Sequence, residues 1–111
     1  MAEKPLVWAG SALEALRDFP EEARRRAGYQ LRRVQAGLMP DDWKFMPAVG
    51  PGVYEIRVHT RLEHRVLYLA KFGQAIYVLH AFEKRTRQTS QADIDLARRR
   101  LADIQKGLRT R

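Results

Sequence analysis

Four cations stand out by where they fall in the chain: Arg57, Arg65, Lys84 and Arg85. Each lies in, or just after, a run that alternates like a β-strand. An arginine fork binds two phosphate oxygens at once and stays charged. A sheet carrying such residues is a rigid platform for an anion. His80 adds an imidazole to the same run, and Tyr54, Tyr68 and Tyr77 add phenols. Such a set can cleave RNA without a metal. The ribose 2′-OH attacks the adjacent phosphorus. The protein then assists deprotonation, stabilises the phosphorane and protonates the leaving 5′-oxygen.

Other chemistries lack their residues. There is no cysteine. His59, His64 and His80 fall in no zinc-ligand spacing, so no metal site is expected. No serine sits in a GxSxG elbow, and Gly50-Pro51-Gly52 is only a turn. Each cation also has a structural alternative. Arg65 can open a strand and reach solvent, Arg57 can pair with Glu55 or Glu63, and His80 can be a core histidine. The tyrosines fit a core better than a catalytic role.

The elements that must position these residues centre on residues 64–87, HRVLYLAKFGQAIYVLHAFEKRTR. Two apolar runs joined by Phe72-Gly73-Gln74 read as an antiparallel hairpin. Val66, Tyr68 and Ala70 alternate with Arg65, Leu67, Leu69 and Lys71. Ile76, Val78, His80 and Phe82 alternate with Tyr77, Leu79 and Ala81. Both faces are largely apolar, which places the hairpin centrally in its sheet. Residues 53–59, VYEIRVH, form a further strand with Tyr54, Ile56 and Val58 on one side and Glu55, Arg57 and His59 on the other. Arg57 and Arg65 then fall on neighbouring strands, facing each other only if the register allows. Residues 4–9 read as a short strand.

Ser11 with Glu14 is a capping-box signature for a short helix. Pro20-Glu21-Glu22 opens a second, with Ala23, Ala27, Leu31 and Val34 at helical spacing and Gly37 at its end. Ser90 with Asp93 opens the last helix, with Ile94, Ala97, Leu101, Ile104 and Leu108 as its apolar stripe. Residues 38–52 read as a loop. Its Trp43, Phe45 and Met46 can pack on the core or, beside Lys44, stack on bases.

The chain has 111 residues and a net charge of +8, which suits one domain with a modest core and a polyanionic partner. The charge is uneven. Residues 83–111 hold nine Lys/Arg against four Asp/Glu, while residues 1–52 hold eight against seven. Lys44, Lys71 and Arg87 are candidate RNA contacts flanking the central cations. No apolar run approaches a membrane span and no signal-peptide core is present. These features lead to the expectation of a soluble cytoplasmic protein.

The order of FPEE…AGYQL, VYEIRV and FGQAIYVLHAFEKRT resembles the phage-derived HigB-like branch of the RelE/ParE toxin superfamily across nearly the whole chain. The resemblance implies an α+β fold: two N-terminal helices on a mostly antiparallel sheet of about four strands, plus a C-terminal helix. It implies a type II toxin that cleaves mRNA on the ribosome and is neutralised by a helix-turn-helix (HigA-like) antitoxin. It matches the family's sheet arginine to Arg65, its basic strand position to Arg57, and its basic cluster to Lys84 and Arg85. Some members carry a C-terminal Tyr or His for proton transfer. This chain has neither after His80, so either His80, Lys71 or Lys84 substitutes, or catalysis is weak and depends on the ribosome to orient the RNA. The ParE-like branch shares the fold but binds DNA gyrase without nuclease chemistry, and an inactive RNA- or antitoxin-binding module is a third reading.

Overall fold

The computed structural model describes residues 3–70 and 73–109. The elements in order are β1 (Leu6–Trp8), α1 (Ala12–Arg17), α2 (Glu21–Gln35), β2 (Trp43–Phe45), β3 (Val53–His59), β4 (Glu63–Leu69), β5 (Ile76–Glu83) and α3 (Gln91–Arg109). They build one sheet in the order β1-β5-β4-β3-β2. β1 runs parallel to β5, and every other pairing is antiparallel. The expected α+β architecture is borne out, with five strands rather than about four.

The added strand is β2, in the stretch that reads as a loop. Its three residues lie between Pro40 and Pro47, too short for the alternation by which strands are recognised. Tertiary contacts hold it on the edge instead. Trp43 and Phe45 lie 5.4 and 5.1 Å from the Tyr54 ring, which stacks on Tyr68 at 5.4 Å. Lys44, between them, points to the other side of the sheet and pairs in register with Glu55.

Both faces of the sheet are covered. On one, α1 and α2 supply Leu16, Ala23, Ala27, Leu31 and Val34, which pack on Ile56, Val58, Val66, Tyr68, Ile76 and Val78. On the other, Ala97 and Leu101 of α3 join Met46, Val49, Val53, Leu67, Leu69 and Leu79. The hairpin strands are therefore buried on both sides, as continuous apolar runs require. Each large aliphatic side chain so buried contributes roughly 1.5–3 kcal/mol.

The expected alternation of β5 is only half right. His80 pairs with Leu67 but Val78 pairs with Tyr68, so Leu79 is an extra residue, a β-bulge. The bulge reverses the faces beyond it. Ile76, Val78 and Ala81 pack toward α1 and α2, while Tyr77, Leu79 and Phe82 pack toward α3. Arg100 of α3 braces this point. Its guanidinium donates to the Leu79 carbonyl at 2.9 Å and to the Ser11 hydroxyl at 3.0 Å. Gly10 has φ +51, a backbone that favours glycine, and a Cβ there would meet Arg100 Nε at 2.8 Å and displace the guanidinium.

The Ser11 side chain is thus taken by Arg100 and makes no cap on α1, contrary to the capping-box expectation. Ser90 behaves as expected: its hydroxyl accepts the Asp93 N–H at 3.1 Å. The Asp93 carboxylate, however, turns to the Ser90 hydroxyl and to His80. α2 ends as a Schellman turn, with Leu38 N–H on Arg33 O at 2.9 Å and Gly37 N–H on Val34 O at 3.0 Å. Gly37 at φ +86 makes that turn possible.

Candidate functional site

Register brings Arg57 and Arg65 directly opposite each other across β3 and β4. Both lie on the α3 side of the sheet, two register pairs beyond Glu55 and Leu67. Glu55 is fully buried beneath them. Its Oε1 lies 3.6 Å from Arg65 Nε and 3.8 Å from Arg57 Nε. Neither Glu55 oxygen has a hydrogen-bond partner among the described residues. The carboxylate is held by two flanking charges rather than by hydrogen bonds, and buried charge is tolerated only when so paired.

The two arginines differ in access. The Arg57 side chain is 33% exposed. The Arg65 side chain is 3% exposed, and it also donates to Glu63 Oε1 and to the His64 carbonyl, both at 3.0 Å. A phosphate can reach Arg57 directly. Arg65 acts from beneath, holding Glu55 and Glu63 and adding positive potential.

Lys84 follows β5 and is fixed by its N–H bond to the Glu63 carbonyl at 2.7 Å. Desolvation pushes its ammonium below the usual lysine range, and the charges of Arg65, Lys44 and Arg57 push the same way, partly offset by Glu55. Lys84, Lys44, Arg57 and Arg65 are thus electrically coupled around Glu55. A lysine with a lowered pKa gives up its proton more readily, a property useful in an acid catalyst.

The other expected residues lie elsewhere. Arg85 is exposed, and its Nε donates to Glu83 at 2.8 Å. Glu83 pairs with His64, whose ring packs on Phe19 on the helix side at 4.3 Å. Arg85 therefore turns away from the Arg57–Arg65 pair. The bulge carries His80 to the α3 side, but Nε2 is bonded to Asp93 at 2.7 Å and Nδ1 is buried without a hydrogen-bond partner. Burial lowers its pKa against the pull of Asp93. His80 pins the start of α3, and neither nitrogen is presented for proton transfer. Arg87 is exposed in the β5–α3 connection. Lys71 lies outside the described residues.

Residues that the pattern passed over complete the network. His59 sits between two acids, with Nε2 2.5 Å from Asp42 Oδ2 and Nδ1 2.7 Å from Glu63 Oε1. Those hydrogen bonds, Asp42 first, raise its pKa. Desolvation acts upward on Glu63, but bonds from His59 and Arg65 outweigh it and hold the carboxyl low. Asp42, His59, Glu63, Arg65, Glu55 and Arg57 form one chain of charges across β3 and β4. The alternation of VYEIRVH does place His59 on the Arg57 side, so that signal was present; Asp42 comes from a distant loop.

Comparison with known proteins agrees with this architecture. Residues 14–102 match the family described as phage derived protein Gp49-like (DUF891). None of the curated proteins matches. Among solved structures, an arginine double mutant of the E. coli toxin RelE in its free state superposes with a TM-score of 0.63 at 17% identity, over 94% of this chain and 99% of that one. The α+β fold implied by the resemblance is thus the RelE fold, and the chain belongs to the Gp49-like family of phage-derived proteins.

Proposed function

We propose that this protein is the toxin of a type II toxin–antitoxin system, of the HigB-like kind, and that it cleaves mRNA on the ribosome. The observation that carries the reading is the cross-strand Arg57–Arg65 pair over buried Glu55, with Lys84 and Lys44 coupled to it. It is a preorganised cationic site on a rigid sheet, which is what a phosphorane needs. The fold shared with the toxin RelE supports the class.

In this mechanism Arg57 binds the non-bridging phosphate oxygens, and Arg65 reinforces the potential from below. The 2′-oxygen passes its proton to a solvent water and forms a bond to phosphorus. The bond from phosphorus to the 5′-oxygen breaks. Lys84, its pKa lowered, donates a proton to that leaving oxygen. The products are a 2′,3′-cyclic phosphate and a free 5′-hydroxyl. The ribosome orients the mRNA, compensating for the small set of proton-transfer groups. A helix-turn-helix antitoxin covers the cationic face with acidic residues or displaces α3. Both partners place the protein in the cytoplasm; no helix among the described residues is long and apolar enough to cross a membrane.

The test is to express wild type, Arg57→Ala and Lys84→Ala from a tight promoter, map mRNA 5′ ends and follow growth. New ends inside coding frames, lost in both variants, are expected. Growth arrest without new ends would sink the nuclease reading and point to the gyrase-binding branch.

A further inference from the structure

We propose that the cleft between α2 and the open end of β3 is a second nucleotide subsite, taking one unpaired base of the strand that leaves the cationic face. The nature of that strand rests on the nuclease reading; the subsite itself rests on the cleft. Arg25 and Tyr29 of α2 face Arg57 and His59 of β3 across a volume of about 500 Å³. Arg57 belongs to both places: it lines the cleft and flanks Glu55. A strand whose phosphate lies on Arg57 thus has its neighbouring nucleotide at the cleft mouth.

The walls suit that nucleotide. Tyr29 is 56% exposed, an aromatic ring held in solvent on the face of a helix. Such rings stack on any base. Arg25 makes no ion pair among the described residues. It differs from Arg26, which is tied to Glu22 and to the His59 carbonyl, both at 2.8 Å. The acids in the cleft are already engaged: Asp42 with His59, and Asp41 with the Gln30 amide at 2.8 Å and Arg33 at 3.5 Å. Among the described residues, the unpaired charge is the Arg25 guanidinium, on the same wall as the Tyr29 ring; opposite it Arg57 flanks Glu55 while a third of its side chain stays open. Since the polar groups able to read base edges are occupied, recognition here is by stacking and charge, without base identity.

The probe is a short, fluorescein-labelled single-stranded RNA, fully 2′-O-methylated so that it cannot be cleaved, read by anisotropy. Tyr29→Ala should weaken binding about tenfold or more, from the loss of one stacked base, and Tyr29→Phe should bind like wild type. An abasic residue at one position of the RNA should cost wild type a similar factor and cost Tyr29→Ala nothing further. Because Tyr29 is exposed, the melting temperature of the variant should equal that of wild type. Unchanged affinity in both Tyr29→Ala and Arg25→Ala would overturn the subsite. If Lys84→Ala weakens binding and Tyr29→Ala does not, the subsite fails while the cationic face stands. Tyr29-dependent binding of an RNA whose unmodified form is never cut would keep the subsite and overturn the nuclease reading.

Discussion

Replacing Arg65 should destabilise the protein before it informs on catalysis, and the structure sets the size of the effect. The side chain is 3% exposed and lies 3.6 Å from Glu55, itself fully buried. At that separation and an effective dielectric of about 20, the attraction is roughly 4–5 kcal/mol. Desolvation of both groups offsets much of it in the intact protein. In Arg65→Met the offset is not recovered, because Glu55 remains buried and the ion pair left to it among the described residues is Arg57 at 3.8 Å. The expected loss is about 3–5 kcal/mol, a melting temperature lower by roughly 10–20 °C for a chain of this size. Urea denaturation measures it directly. The double variant Glu55→Met/Arg65→Met should recover most of the loss, since no unpaired charge stays inside. A single Arg65→Met variant losing under about 1 kcal/mol, or a double variant no better than the single, would refute this account of the network. It follows that an inactive Arg65 variant says little by itself, and that Arg57 and Lys84 are the sound positions at which to test the chemistry.

Lys84→Ala should cut RNA cleavage by about 10²–10⁴-fold and leave urea stability within about 1 kcal/mol, because its ammonium is only partly buried; cleavage assays and denaturation on the same preparation check both. His59 carries a raised pKa, so its bridge to Asp42 and Glu63 adds stability that is full below its unfolded pKa of about 6.5 and is lost as pH rises through the folded value. The stability gap between wild type and His59→Ala should therefore narrow toward alkaline pH, and thermal melts across pH that show a constant or widening gap would contradict the bridge. Arg100→Ala removes charge-assisted bonds to Leu79 and Ser11 and should cost about 1.5–3 kcal/mol, with hydrogen exchange speeding first in α3 and around the β5 bulge.

Much of the fold was legible because its signals are local. The 3.6-residue stripe from Ile94 to Leu108, the alternation of VYEIRVH and the two apolar runs of the hairpin each follow from a few neighbouring residues. The Arg57–Arg65 pairing was legible as a possibility that hinged on register, and the register fulfils it. β2 was missed because three residues between prolines carry no period, and an aromatic contact with Tyr54 holds them. The cap at Ser11 was misread because Arg100, far along the chain, takes its hydroxyl.

By itself, the sequence determined which residues are cations, which runs are strands or helices, and which side of β3 carries Glu55, Arg57 and His59. These depend on backbone periods of two or 3.6 residues, a property of each segment alone. Only the tertiary structure decided that Arg65 lies buried while Arg57 stays open, that Leu79 is bulged, and that His80 serves α3 while Arg85 turns to Glu83. The bulge is the clearest reason. One extra residue reverses every side chain beyond it, and its carbonyl is satisfied by Arg100, 21 residues further along the chain.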